Sequence, residues 1–105
     1  MSGDEIVPLS WDEGKRASNL RKHRYDFADL APAFDGRVCV IVEDRRRDYA
    51  ERRYNMLVEF DWRIINITFT PRGERYHLIS ARPASREERT IYHGIEQRQD
   101  RQGPH

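Results

Sequence analysis

Cysteine, lysine and long apolar runs are the scarcest features of this sequence. Cys39 is the single cysteine among 105 residues, so no disulfide can form within the chain, and its setting in "VCVIV" is typical of a small core residue. No apolar run approaches the ~20 residues that span a bilayer, and the acidic, polar start "MSGDEIVPLS" does not resemble a secretory signal. We therefore expect a cytoplasmic protein that does not associate with membranes.

Net charge is also low. The formal net charge is +1, which argues against a polybasic coat that binds nucleic acid by charge alone, so any anion site must be local. Only Lys15 and Lys22 are lysines, and the other basic residues are arginines, whose planar guanidinium suits phosphate or carboxylate. This bias favours either phosphate recognition or a charged protein interface, although a GC-rich genome would produce the same bias without any function.

The length and the turn signals predict a single α+β domain. The chain has 105 residues and no internal repeat or low-complexity linker. We place the domain at residues 1–95. The tail 96–105 is predicted to be disordered, because no hydrophobic residue follows Ile95.

The N-terminal third predicts a short edge strand followed by two helices. Residues 6–11 can form the strand, with Pro8 tolerated only at an edge. Either Ser10 or Asp12 can cap a helix that runs to residue 24, and a second short helix is predicted over 27–34.

An antiparallel β-sheet meander is predicted next, followed by one C-terminal helix. The charged stretch 43–52 is too polar for the core and is predicted to be either a loop or a ragged strand extension. Pro83 must end the last strand, and Ser85 with Glu88 has the spacing of a capping box, so Arg82 is fixed at a junction between strand and helix. The predicted strands cover 38–42, 53–60, 64–70 and 74–82.

Common catalytic and cofactor motifs are missing. The sequence has no Gly-rich phosphate loop, no HExxH and no Cys/His spacing typical of zinc, so we expect no metal and no cofactor. The acidic residues Asp44, Asp48 and Glu51 are better explained by salt bridges to neighbouring arginines than by a metal site.

What the sequence does offer is a set of cations at turns and element ends. Taken singly, each is more often a solvated surface residue than a functional one. They are Lys22 and His23 at the end of the first helix, Arg46 and Arg53 around the charged loop, Arg72 in the hairpin turn and Arg82 at the junction.

Four segments of the chain follow one another in a recognisable order: "WDEGKRASNLRKH", "DRRRDYAERR", "TPR" and "ISARPASREERTIY". Together they resemble the BrnT toxin family, the ribonuclease half of a bacterial type II toxin–antitoxin pair with a RelE-like fold. The resemblance covers residues 11–92. It departs at "YNMLV", where the family usually has a glycine, and at Pro83, where a lysine or arginine is common.

The resemblance implies a small cytoplasmic toxin that cleaves RNA and arrests translation. It also implies a BrnA-like antitoxin that forms a hetero-oligomer with the toxin and that carries the complex to operator DNA. A rival interpretation is a non-catalytic interaction module, whose basic groove holds an acidic antitoxin segment or contacts RNA without cutting it.

Cleavage by the substrate's own 2′-hydroxyl requires a base, cations around the phosphorus and an acid or cation at the leaving oxygen. We assign Arg72 and Arg82 to the phosphate and Lys22 to further electrostatic stabilisation. His23 is the candidate for proton transfer, since histidine ordinarily titrates near pH ~6.5, although it would equally suit the last carbonyls of its helix. We assign RNA binding to Arg46, Arg53 and Tyr92, with Tyr92 stacking on a base, and keep Glu51 and Glu88 in reserve.

Overall fold

Five strands form one sheet, in the order β1-β5-β4-β3-β2. The computed structural model describes residues 7–47 and 50–102. The predicted strand at 6–11, the carboxylate Asp48 and the tail 96–105 therefore each lie partly or wholly outside the described residues. The elements are β1 (Leu9–Trp11), α1 (Glu13–His23), two 3₁₀ turns (Phe27–Asp29 and Ala31–Phe34), β2 (Cys39–Asp44), β3 (Arg53–Phe60), β4 (Arg63–Arg72), β5 (Arg75–Pro83) and α2 (Arg86–Gln102).

The predicted α+β class and the antiparallel meander of β2 to β5 are confirmed. The sheet as a whole is mixed, however, because β1 pairs in parallel with β5, with Leu9 opposite Tyr76 and Trp11 opposite Leu78. Local sequence alternation shows that a segment is a strand but does not show the direction in which it pairs. The predicted second helix over 27–34 is also corrected, since two 3₁₀ turns take its place. Pro32 lies in the first turn of the second of these, Ala31–Phe34.

One face of the sheet carries the hydrophobic core. Side chains on this first face alternate along the strands, and the 3₁₀ turns cover them with Phe27 and Leu30, both fully buried. Burying each such side chain stabilises the fold by roughly 1.5–3 kcal/mol. The sheet contributes Met56, Val58, Ile65, Ile67, Phe69, Leu78 and Ala81 to this core.

Helix α1 lies along the edge of β5. Asp12 is the N-cap, with its Oδ2 accepting a hydrogen bond from the Lys15 amide at 3.0 Å, while Ser10, the other candidate, bonds elsewhere. β1 pairs only with Tyr76 to Leu78, so the rest of β5 has no strand neighbour on that side. Asn19 takes that place, because its side-chain amide accepts from the Ala81 N–H at 3.0 Å and donates to the Ala81 carbonyl at 2.9 Å.

Helix α2 packs against β2 and β3 and begins at the predicted capping box. The Glu88 N–H donates to Ser85 Oγ at 3.1 Å, and the Ser85 N–H donates to Glu88 Oε1 at 2.8 Å, so both orphan donors of the first turn are satisfied. The helix continues to Gln102 and so enters the polar segment 96–105, whose disorder in solution stays a prediction. None of the helices in the described ranges is long and apolar enough to cross a membrane.

Candidate functional site

The second face of the sheet is polar, in contrast to the apolar first face. Its centre is a floor of Asn55, Thr68 and Ser80, which lie side by side on β3, β4 and β5. The Thr68 hydroxyl donates to Asn55 Oδ1 at 2.8 Å, and all three residues keep part of their surface exposed. Glu88 of α2 bonds to Asn66 at one end of this floor, and Glu51, in the loop between β2 and β3, bonds to Arg72 at the other. We call the polar surface between these two contacts the trough.

The α2 side of the trough is built by Arg82 and Glu88. The two terminal nitrogens of Arg82 each donate to one oxygen of Glu88, both at 2.9 Å, and Asn66 Nδ2 donates to Glu88 Oε2 at 3.0 Å. The bond from Arg82 lowers the pKa of Glu88 to about 2, so the carboxylate is ionised at neutral pH. The Nε–H of Arg82 makes no hydrogen bond among the described residues, so a cation with one free donor faces the floor.

The loop side of the trough is built by Arg72, Glu51 and His77. Arg72 Nη2 donates to Glu51 Oε1 at 2.7 Å, a bond that lowers the pKa of Glu51 and raises the pKa of Arg72. His77 lies opposite Thr70 on β4, and its Nδ1 is 2.9 Å from Ser10 Oγ. Burial and then the charge of Arg72 lower the pKa of His77, which favours the neutral imidazole at pH 7.

The other predicted RNA contacts are placed less favourably. Arg46 forms a two-nitrogen ion pair with Asp44, at 2.7 and 2.9 Å, and Arg53 is half-buried at the loop end of the second face. Tyr92 is only 3% exposed, and burial raises the pKa of its phenol. A base has no open ring face on which to stack at this tyrosine, so we do not carry that role forward.

Lys22 and His23 lie far from Arg72. His23 lines a cleft with Arg63 and Pro83, at the end of the sheet where β4 begins, whereas Arg72 ends the same strand. With 10 residues in β4, these ends are about 30 Å apart. Arg82 pairs with Asn66, which lies six residues before Arg72 on β4. The backbone at Arg82 and Asn66 is therefore about 20 Å from the backbone at Arg72.

The four predicted catalytic residues therefore do not all converge on one phosphate. Arg82 and Arg72 flank the trough at its two sides, His23 lines a separate cleft, and Lys22 is exposed in the last turn of α1. The sequence analysis does not predict a role for His77, because the four histidines are far apart in the sequence and form no motif. The signal that could have found it is its position between the core residues Tyr76 and Leu78, because alternation directs it to the polar face.

The acidic residues near the loop pair with arginines. Asp44 binds Arg46 and Glu51 binds Arg72, while Asp48 lies outside the described residues. Within residues 7–47 and 50–102, no group of three or more His, Cys, Asp or Glu side chains could hold a metal ion.

The fold and the trough together define a small α+β domain whose sheet has one apolar face under the 3₁₀ turns and a second face, partly covered by α2, that presents arginines and a histidine. Residues 11–88 match the family model described as the ribonuclease toxin, BrnT, of a type II toxin–antitoxin system. The chain belongs to this family, so the resemblance drawn from the sequence segments is confirmed. A type II toxin has an antitoxin as its partner. Among curated proteins, none matches the sequence.

Proposed function

We propose that this toxin is a metal-independent endoribonuclease that cleaves RNA by attack of the substrate's own 2′-hydroxyl, in the trough on the second face of the sheet. The observation that carries this mechanism is the placement of His77, a histidine with a lowered pKa, on the same face as Arg72 and Arg82. A neutral imidazole can accept the 2′-hydroxyl proton, and guanidinium groups can stabilise charge on the phosphorane.

The reaction balances without a further reagent. The 2′-oxygen bonds to phosphorus and loses its proton to His77, while the bond from phosphorus to the 5′-oxygen breaks and that oxygen gains a proton. The products are a 2′,3′-cyclic phosphate and a free 5′-hydroxyl. In the tautomer that donates from Nδ1 to Ser10 Oγ, the Nε2 lone pair of His77 is the acceptor.

The dimensions of the trough suit this assignment. Arg82 pairs with Asn66 on β4, and His77 pairs with Thr70, four residues further along the same strand. The backbone of the first pair is therefore about 13 Å from the backbone of the second. Long side chains from both sides can reach a phosphodiester that lies over the floor between them. Arg82 thus keeps its proposed role at the phosphate, and His77 replaces His23 as the proposed base.

Biologically, we propose that cleavage arrests translation in the cytoplasm and that a BrnA-like antitoxin, which also binds operator DNA, neutralises the toxin in a hetero-oligomer. Expression of the chain alone is expected to stop bacterial growth, and co-expression of its partner to restore it. Normal growth with the protein accumulating would contradict a toxic activity.

The chemistry is tested with purified protein and RNA in excess EDTA. We expect cleavage to persist, the fragments to carry 2′,3′-cyclic phosphate and 5′-hydroxyl ends, and an otherwise identical RNA with one 2′-deoxy residue at the cut site to resist cleavage there. Loss of cleavage with EDTA that returns on adding magnesium, or fragments with 5′-phosphate ends, would refute the mechanism.

A non-catalytic interaction module is the second candidate. The observation in its favour is that Arg82 and Arg72 already bind carboxylates of the chain itself, Glu88 and Glu51. Under this candidate the purified protein would bind RNA or an antitoxin but would leave RNA intact at every pH.

A further inference from the structure

Trp62 is the most exposed large hydrophobic residue in the described chain. It occupies the two-residue turn between β3 and β4, and it is 90% exposed. Both turn residues have positive φ, 54° at Asp61 and 69° at Trp62, in a position where Asn-Gly is preferred. The indole gains little packing that would offset this strained backbone, so stability of the free protein does not explain the tryptophan.

The strain in this chain is concentrated around Trp62. Among the described residues, three that are not glycine have positive φ, and Arg24 joins Asp61 and Trp62 as the third. Arg24 ends α1 at a position where glycine is usual. All three residues line one cleft, the Trp62 cleft, and strained backbone of this kind clusters at binding sites. The lining residues are His23, Arg24, Tyr25, Asp61, Trp62, Arg63 and Pro83.

The cations of the Trp62 cleft differ from the arginines of the trough. Neither Arg24 nor Arg63 makes an ion pair within the residues that the structure describes. Arg16, Arg37, Arg72 and Arg82, in contrast, are each held by a carboxylate. Asp61 is the sole carboxylate that lines this cleft. The cleft therefore presents free guanidinium groups beside an open aromatic ring, the combination that binds single-stranded nucleic acid.

We propose that the Trp62 cleft binds an unpaired nucleotide of the RNA substrate, with its base stacked on the indole and the adjoining phosphates held by Arg24 and Arg63. This proposal rests on the proposed function, because it takes RNA as the substrate. A protein anchor is less suitable, since a tryptophan at a protein interface is usually ringed by apolar contacts that exclude water, and the Trp62 cleft is lined mainly by polar and charged side chains.

The cleft and the trough adjoin at the end of β5, on opposite sides of the strand. Pro83 lines the cleft, and the preceding residue, Arg82, faces the trough. An RNA strand that crosses the end of β5 would thus have one nucleotide on Trp62 and a neighbouring phosphate near Arg82. This arrangement gives His23 a role beside the bound strand rather than at the reacting phosphorus.

Fluorescence can test the stacking directly, because the chain has two tryptophans. In a Trp11→Phe background, Trp62 is the sole emitter, and titration with a short single-stranded 2′-O-methyl RNA, which lacks the nucleophile, should quench its emission. Trp62→Ala should weaken binding of this RNA roughly tenfold or more, and Trp62→Phe should retain most of it. Each of Arg24→Gln and Arg63→Gln should lower the slope of log affinity against log salt by about 0.7.

The matched control is Arg75→Gln, an exposed arginine in the hairpin at the other end of the sheet. This variant should bind the RNA like the parent. Three results would overturn the site: RNA binding by the parent without quenching, equal affinity for Trp62→Ala, or loss of antitoxin binding alone in Trp62→Ala, which would make the cleft a protein-docking site. In those cases cleavage of unmodified RNA would persist. Failure of the parent to bind or cleave any RNA would overturn the proposed function together with this site.

Discussion

Arg82 and Glu88 join the end of β5 to the first turn of α2 through two parallel hydrogen bonds of 2.9 Å. The same carboxylate completes the capping box with Ser85, so one side chain fixes both the helix start and the arginine. Arg82 is therefore a structural residue and also a cation that faces the trough. Its two roles can be separated by experiment.

Acid stability should report the Glu88 pair. The folded pKa of Glu88 is about 2 and its ordinary value is 4.5, so the stabilising contribution is complete above about pH 4.5 and is lost as pH falls toward 2. We expect Glu88→Gln to reduce the free energy of unfolding at pH 7 by on the order of 1–2 kcal/mol, after allowance for solvent screening. Denaturant titrations from pH 7 to pH 2 should show the two proteins converging at low pH. A constant difference across that range would contradict this account.

Substitution of Arg82 should separate charge from geometry. Arg82→Ala leaves Glu88 half-buried without its cation and is expected to cost about 1–2 kcal/mol of stability together with most of the cleavage activity. Arg82→Lys keeps the charge but loses the two-pronged contact, so it should recover stability in part and leave cleavage low. Thermal melts measure the stability of the two variants. Their cleavage rates should be compared at a temperature below the melting temperature of each variant. An Arg82→Ala protein with normal cleavage would show that the arginine is structural only.

The pH dependence of cleavage should identify the base. The pKa of His77 is lowered by burial and by Arg72, while Glu51 and Asp12 act in the opposite direction, so its neutral form is already dominant at pH 7. We expect kcat/KM to level off near neutrality and to fall as pH drops below the ordinary histidine range. His77→Gln should reduce the rate about 10²- to 10⁴-fold and remove this acidic limb. An unchanged acidic limb in His77→Gln would assign proton transfer to another group.

The hydrogen bonds of Asn19 to the edge of β5 should contribute more to stability than is usual for a residue on a largely exposed helix. Asn19→Ala removes the partners of both the N–H and the carbonyl of the buried Ala81, which should cost about 2–4 kcal/mol. The control is Lys15→Ala, an exposed residue one turn earlier on α1, which should change stability by about 0.5 kcal/mol or less. Urea midpoints measured on both variants would test the difference, and similar midpoints would argue against this contact.

Local chemistry made much of the fold predictable. The capping box of Ser85 and Glu88 is confirmed, and so is the alternation that places Ile65 and Ile67 in the core. The parallel pairing of β1 and the insertion of Asn19 at the edge of β5 depend on contacts between residues more than 60 positions apart, which periodicity does not encode. The site was harder to predict for the same reason.

Residues were grouped as cations at turns, and the sequence does not show which end of a strand each turn occupies. Arg72 and His23 were therefore placed together although β4 separates them. Tyr92 is predicted to stack on an RNA base because a tyrosine ring on a helix suits stacking. The packing of α2 on the sheet buries this ring. Trp62 falls between the predicted strands 53–60 and 64–70, and only its backbone angles and exposure reveal that it is unusual.

The pairing of β1 with β5 has a consequence for the time at which the toxin becomes active during synthesis. Ser10 and His77 are 67 residues apart, and the Trp62 cleft likewise needs His23 from the first quarter of the chain and Pro83 from the last. Contacts of such long range form late, and a chain emerges from the ribosome starting at its N-terminus. We expect the growing polypeptide to have neither a working trough nor a closed cleft until β5 has emerged. Under the proposed function, RNA cleavage by the growing polypeptide is therefore not expected until synthesis is nearly finished.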